Sequence, residues 1–180
     1  MDAEVGVLDA PGAEPWEAVY RRVRPRLDAY CRRRLPADAV EDAVSETIAR
    51  AVAGGHRYQD RGLGVDAWMF GICRNVVLDA QRRAGRRRGQ VPATVAWSPH
   101  EPGPLDHVLG AEEADTLRLA FSQLSESDRE ILELRVVAGL DAEATASVLG
   151  KRPGAVRMAQ SRALARLRGL LLDADDEVTP

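Results

Sequence analysis

Aromatic residues are scarce in this 180-residue chain: three Trp, three Tyr and two Phe, 4% of the total. That leaves little material for an aromatic-filled core and argues against a β-sandwich. Only two cysteines occur, Cys31 and Cys73, which suits a reducing compartment better than a disulfide scaffold. No Cys/His cluster has zinc spacing. The three histidines, His56, His100 and His107, are scattered through loop-like segments, so neither a metal site nor a cofactor is expected. The longest uncharged run, residues 89–100, spans 12 residues with two prolines, which excludes a transmembrane helix. The N-terminal MDAEVGVLDAPGAE is acidic and lacks the basic, apolar layout of a signal peptide, so a cytoplasmic location is expected. No P-loop, nucleophile elbow, His/carboxylate cluster or dinucleotide fingerprint is present. No catalytic residue is assigned, and the chain is expected not to be an enzyme.

The net charge of −3 hides an alternation. Residues 1–15 carry −4, residues 16–90 carry +7, residues 91–115 carry −5, residues 116–170 carry +3 and the last ten carry −4. Two basic blocks therefore alternate with three acidic segments. A folded basic block suggests a polyanionic partner, although the +3 block taken alone reads as a solvated helical surface. Of the 25 basic residues all but Lys151 are arginine.

Residues 91–110, VPATVAWSPHEPGPLDHVLG, contain four prolines and two glycines without sustained periodicity, and read as a flexible acidic linker. Trp97 within it is either a docking anchor or incidental. The expected arrangement is two helical domains on a tether, moving independently unless they pack on each other. In the first block, residues 16–35 read as a helix with Val19, Val23, Leu27 and Tyr30 on one face, kinked or broken at Pro25. Asp38 is placed to cap a second helix, with Val40, Val44, Ile48 and Ala51 as its inner stripe, ended by Gly54 and Gly55. Residues 56–65 read as a loop, and Asp66 is placed to cap a third helix to about Arg83. In the second block a helix spans residues 111–123, and Ser125 and Asp141 cap two more. Gly150 then turns the chain into a last helix from Pro153 to about Leu172.

A short helix, a glycine turn and a longer basic helix make the unit that reads DNA in helix-turn-helix proteins. At about 100° per residue, Val156, Ala159, Ala163, Leu167 and Leu170 share one stripe of the last helix. Arg157, Ser161 and Arg168 project oppositely, while Arg162 and Arg166 flank the stripe. Arg152, Arg157 and Gln160 lie near the end that enters the major groove, where Arg pairs with guanine and Gln with adenine.

The strings ADAVEDAVSETIARA, AWMFGICRNVVLDAQRR and LSESDREILELRVVAGLDAEATASVLGKRPGAVRMAQSRALARLR, in this order, resemble the bacterial extracytoplasmic-function (ECF, group 4) sigma factors of RNA polymerase. The likeness covers about residues 16–172. Within the family, RYQDRG, RRAGR, LRVVAGL and GAVRMAQSRAL look most like the actinobacterial SigD and ShbA type. The resemblance implies an all-α protein of two small helical domains: an acidic tail (1–15), region 2 (16–90), a linker (91–110), region 4 (111–172) and a second acidic tail (173–180). It also implies binding to core polymerase, reading of a −35 promoter element by region 4, and reading and opening of a −10 element by region 2.

Site residues follow from the same resemblance. Trp68, Phe70, Arg74, Asn75, Arg82 and Arg83 are implied at the −10 element, with Asn75 beside an extruded base. From the residues alone, Trp68 and Phe70 read as core rather than as stacking platforms. Arg152, Arg157, Gln160, Ser161, Arg162 and Arg166 are implied at the −35 element. Glu41, Asp42, Ser45 and Glu46 are implied against the β′ clamp helices, and region 4 against the β flap. Ser45 and Ile48 replace the glutamine and phenylalanine usual in this helix, and Arg157-Met158-Ala159 stands where Lys-Ser-Arg is common. Further implied partners are promoter DNA and an anti-sigma factor, without membrane insertion. A one-component helix-turn-helix regulator is the alternative, but residues 16–90 offer neither a ligand pocket nor a phosphoacceptor.

Overall fold

The structure, a computed structural model, describes residues 14–87 and 111–178. The expected linker, with Trp97, and the expected N-terminal tail up to residue 13 lie outside the described residues, as does Arg88. The fold is all-α, and no strand occurs among the described residues. The first unit comprises α1 (Trp16–Arg32), α2 (Ala37–Gly54), a single 3-10 turn (Gly55–Arg57) and α3 (Gly64–Arg87). The second comprises α4 (Ala111–Gln123), α5 (Glu126–Leu132) with a π-helical continuation (Glu133–Val137), α6 (Ala142–Leu149) and α7 (Pro153–Val178). α7 runs on into the stretch expected as an acidic tail.

Pro25 does not break α1. It lies about 200° around the helix from Val23, on the exposed side, so the stripe of Val19, Val23, Leu27 and Tyr30 continues uninterrupted into the core. Burial of that stripe outweighs the missing N–H. Asp38 falls in the first turn of α2, behind Pro36 at the cap, where its charge still faces the positive helix end. Asp66 likewise falls inside the first turn of α3, because Asp60 rather than Asp66 organises the entry. The Asp60 carboxylate accepts from the Gly62 and Gly64 amides at 2.8 and 3.2 Å, and both glycines have positive φ. Asp66 instead binds Arg22 of α1 at 2.7 Å and also Arg26.

Within the first unit, α1 and α3 cross through Tyr30 and Phe70, edge to face at 5.9 Å. Cys31 and Cys73 lie buried beside them with their sulfurs 3.5 Å apart, unlinked, and the Cys73 contact and burial push the Cys31 thiol up. In the second unit the Ser125 hydroxyl accepts from the Asp128 amide at 3.2 Å and Asp141 from the Ala144 amide at 2.7 Å, both as expected. Leu124, Leu132 and Ala163 form one small core there, and Ala142, Ala146 and Val156 another.

The two units are packed against each other. Leu134, Ala138, Leu140 and Ala144 of the second belong to the same continuous core as α1, α2 and α3. Arg34, at the end of α1, donates to Glu133 at 2.7 Å, with side chains only 7% and 2% exposed. Arg74 of α3 binds Glu130 at 2.8 Å, and Arg26 donates to the Ala138 carbonyl, its Nε at 2.8 Å. Burial pushes the Glu133 carboxyl up against the pull of Arg34. Burial also works against the Arg34 charge, but Tyr30, Glu133 and Glu130 more than offset it and hold the proton on.

The Asp66 clamp has a measurable pH signature. Partial burial pushes its carboxyl up, yet Arg22 and Arg26 outweigh this and hold it below the usual range. A depressed folded pKa stabilises the fold above the unfolded value near 4 and is lost as pH falls through the folded one. Asp66→Asn should therefore lower stability at pH 7 by about 1–2 kcal/mol, less than for a fully buried pair. The gap from wild type, read by thermal melts, should close as pH falls through the depressed folded-state pKa of Asp66.

Candidate nucleic-acid interfaces

The helix-turn-helix in the second unit is built as its sequence requires. α6 ends at Gly150, whose φ of 63° is left-handed, and the Lys151 amide returns to the Ala146 carbonyl at 2.8 Å. Pro153 then opens α7 in the first turn, where its missing N–H costs nothing. Val156 and Ala163 are fully buried, while Ala159, Leu167 and Leu170 are half-buried, so the apolar stripe faces inward. Arg152, Arg157, Ser161, Arg162 and Arg166 are all exposed. Arg157 meets Glu143 of α6 at 2.9 Å and Arg166 meets Asp128 of α5 at 2.6 Å, both with more than half of the arginine side chain in solvent. Gln160 differs from the rest of the expected set. It is half-buried and accepts from Arg135 at 2.8 Å, which aims its amide toward the π-helical segment rather than outward.

In the first unit, Asn75 is exposed on α3 and borders a cavity of about 520 Å³. Trp68 lines the same cavity and stacks at 5.0 Å, tilted by 38°, on Tyr58. Burial, with Asp60 and Asp66 nearby, pushes the Tyr58 hydroxyl up to about 12, so it remains a neutral donor. Phe70, expected beside Trp68, lies in the core with no exposed surface, because positions 68 and 70 project some 200° apart on a helix. It supports α3 from within. Arg74 is partly covered and held by Glu130, whereas Arg82 and Arg83 are exposed, Arg82 beside Asp79 at 3.2 Å. Arg57, Tyr58 and Arg61 frame the Asn75 cavity and were absent from the expected set. The alternation of bases with an aromatic in RYQDR was the available signal, since single strands are held by cationic and stacking groups together.

The acidic face of α2 is also present. Glu41, Asp42, Ser45 and Glu46 are exposed, while Val40, Ala43, Val44 and Thr47 point inward. Arg24 reaches Glu41 at 3.1 Å and Arg50 reaches Glu46 at 2.7 Å, so the face is tethered at both ends.

Comparison with known proteins matches residues 19–87 to sigma-70 region 2 and residues 114–167 to sigma-70 region 4. The chain belongs to the sigma-70 family of RNA polymerase sigma factors. It is 40% identical to the ECF RNA polymerase sigma factor ShbA of Streptomyces griseus, over 88% of either chain. It is 35% identical to the ECF sigma factor SigD of Mycobacterium tuberculosis, over 98% of this chain and 86% of that one. Among solved structures it resembles the sigma factor RpoE of Bartonella quintana, crystallised with the anti-sigma factor NepR (TM-score 0.66, 28% identity, 92% and 98% of the chains). It also resembles CnrH, in complex with the cytosolic domain of CnrY (TM-score 0.60, 27% identity, 89% and 88%). In this sigma factor the first unit is thus region 2 and the second region 4. No described helix is long and apolar enough to cross a membrane.

The turn of the sigma factor's helix-turn-helix can be tested directly. A Cβ at Gly150 would meet open space, so Gly150→Ala costs only the left-handed backbone. A loss of about 1 kcal/mol in stability is expected by denaturant melts.

Proposed function

We propose that this sigma factor binds core RNA polymerase, brings it to promoters with a matching −35 and −10 element, and helps open the −10 element. The observation that carries the reading is the pairing, in one chain, of two differently built nucleic-acid faces. Arg152 and, on α7, Arg157 and Ser161 face outward, a surface suited to duplex. α3 and the turn before it present a cavity with an amide, two stacked aromatics and flanking arginines, which suits an unpaired base. Trp68, Asn75, Arg82 and Arg83 are assigned to the −10 strand with Arg74, Phe70 acting through packing. Arg157 is assigned to a base edge, with Arg152 and Ser161 beside it, and Arg162 and Arg166 to phosphates. Glu41, Asp42, Ser45 and Glu46 are assigned to the β′ clamp helices, and region 4 to the β flap. An anti-sigma factor is a further partner, supported by the complex of the similar sigma factor RpoE with the anti-sigma factor NepR. The work is done in the cytoplasm and without catalysis by the chain itself.

Transcription in vitro with core polymerase on a randomised promoter library tests the whole reading. Enrichment of two spaced elements is expected, and no enrichment over core alone would refute it. Asn75→Ala should leave core binding near wild type while lowering open-complex formation at duplex promoters. Equal opening by the variant would make Asn75 an ordinary surface residue.

Arg157→Ala should not unfold region 4, since its side chain is 58% exposed. It should relax preference at one −35 position by about 1–3 kcal/mol. Arg162→Ala and Arg166→Ala should weaken all sequences alike and lower the salt dependence. Binding across single-base variants at two salt concentrations separates these outcomes. A uniform loss for Arg157→Ala would reassign it to phosphate.

A further inference from the structure

Arg135 holds Gln160 away from the outward face of α7: its Nε donates to the Gln160 amide oxygen at 2.8 Å, and it also donates to the Leu140 carbonyl. That contact fixes how α7 is rolled about its own axis. At about 100° per residue, position 158 projects about 200° from position 160. It also lies about 160° from Val156 and about 180° from Leu167, the inward stripe. Met158 therefore stands at the middle of the outward face, and it is 65% exposed. Its neighbours along that line are small. Gly154 precedes it by one turn and Ala165 follows it by two, both exposed, and a Cβ at Gly154 would meet open space. Arg157 lies about 100° to one side and Arg162 about 40° to the other. A lone exposed methionine is ordinary on a protein surface. This one crowns the helix that a helix-turn-helix lays in the major groove.

We propose that Met158 is a specificity-determining residue that reads the C5-methyl group of a thymine in the −35 element. The inference rests on the assignment of α7 to −35 duplex. In the major groove an A·T pair displays that methyl, and cytosine lacks it. The methionine side chain is unbranched and polarizable, so it conforms to a small apolar group. It has no hydrogen-bond donor, and its sulfur is a weak acceptor. A G·C pair under Met158 would lose water from its polar edge without gaining a partner, so the same side chain that favours A·T disfavours G·C. Gly154 and Ala165 keep bulk off the line of approach, which lets the helix sit close to the base pairs. Arg157 and Arg162 then reach past Met158 on either side. An apolar contact displaces no counterion, so the methyl contact adds nothing to the salt dependence that the arginines carry.

The test uses the full chain with core polymerase and a duplex promoter selected in the transcription assay, with deoxyuridine replacing each −35 thymidine in turn. Uracil pairs as thymine does and lacks only the methyl. One such exchange should weaken wild-type binding by about fourfold, the worth of one buried methyl-sized group, and the others should change it little. Met158→Ala should bind the thymine and uracil promoters alike while keeping the wild-type salt dependence. Met158→Leu restores an apolar side chain and should recover part of the discrimination. Because Met158 is exposed, both variants should melt as wild type does, which circular dichroism checks. A wild type indifferent to every exchange would overturn the inference. So would discrimination that survives intact in Met158→Ala, or an enriched −35 element without any A·T pair. The failure of the underlying reading looks different: no −35 element is enriched at all, and the assignment of α7 to promoter DNA falls, taking Met158 with it.

Discussion

The Arg34–Glu133 pair sits where α1, α3 and the π-helical end of α5 converge, and neither charge can occupy that place alone. An isolated ionised group in such surroundings would be penalised by several kcal/mol. Each therefore depends on the other, and the pair exists only while the two regions touch. Around it, Tyr30 lays its ring under the Arg34 guanidinium at 5.0 Å, and Gln81 of α3 donates to the Arg34 carbonyl at 3.2 Å. The end of α1 is thus fixed from three directions. That fixes where Leu35 enters the core and where Pro36 starts α2, the helix that carries the acidic face. This pair, the contacts of Arg74 and Arg26 and the apolar seam around Leu134 and Ala138 together set the relation between the regions, while the apolar stripes set the shape of each.

The helices themselves were readable because local chemistry marked them. Ser125 and Asp141 stand one residue ahead of apolar periodicity and accept the amides they were expected to accept. The α7 stripe is legible since five apolar residues fall on one side of a helix whose arginines lie off that side. Pro25 misled because propensity counts the lost hydrogen bond but not the burial on the far side of the same helix. Asp66 looked like a cap because a carboxylate ahead of an apolar run usually is one. Two positive-φ glycines and Asp60 moved the helix start upstream and freed Asp66 for Arg22 and Arg26, and only the packing of α1 decided that.

The candidate sites were legible to different depths for the same reason. Asn75 and Arg157 could be placed on outward faces by counting around a helix, and both are exposed. Phe70 and Gln160 required knowledge of what lies across from them: the Tyr30 ring for one and Arg135 for the other. The docking of region 4 on region 2 had no local signature at all. Glu130 and Glu133 are two acids on an amphipathic helix, indistinguishable in sequence from solvated ones, and their partners lie 56 and 99 residues away.

Charge also acts as a competitor rather than only as an attractant. Region 2 owes its basic character to arginine, yet Arg22, Arg26, Arg34 and Arg74 are already matched to carboxylates within the fold. In region 4, Arg157 and Arg166 rest on Glu143 and Asp128. A polyanion drawn to any of these arginines would have to displace an internal carboxylate first. The exchange is easy where the pair is exposed, because such pairs contribute about 0–1 kcal/mol. It is hard where the pair is buried. If Arg157 and Arg166 meet DNA as proposed, their exposed pairs subtract little from affinity and reduce the side-chain freedom lost on binding. Arg74 differs, because Glu130 belongs to the other region and the pair joins the two. The same kind of ion pair is a brace within region 4 and a tie between regions, and burial and connectivity decide which.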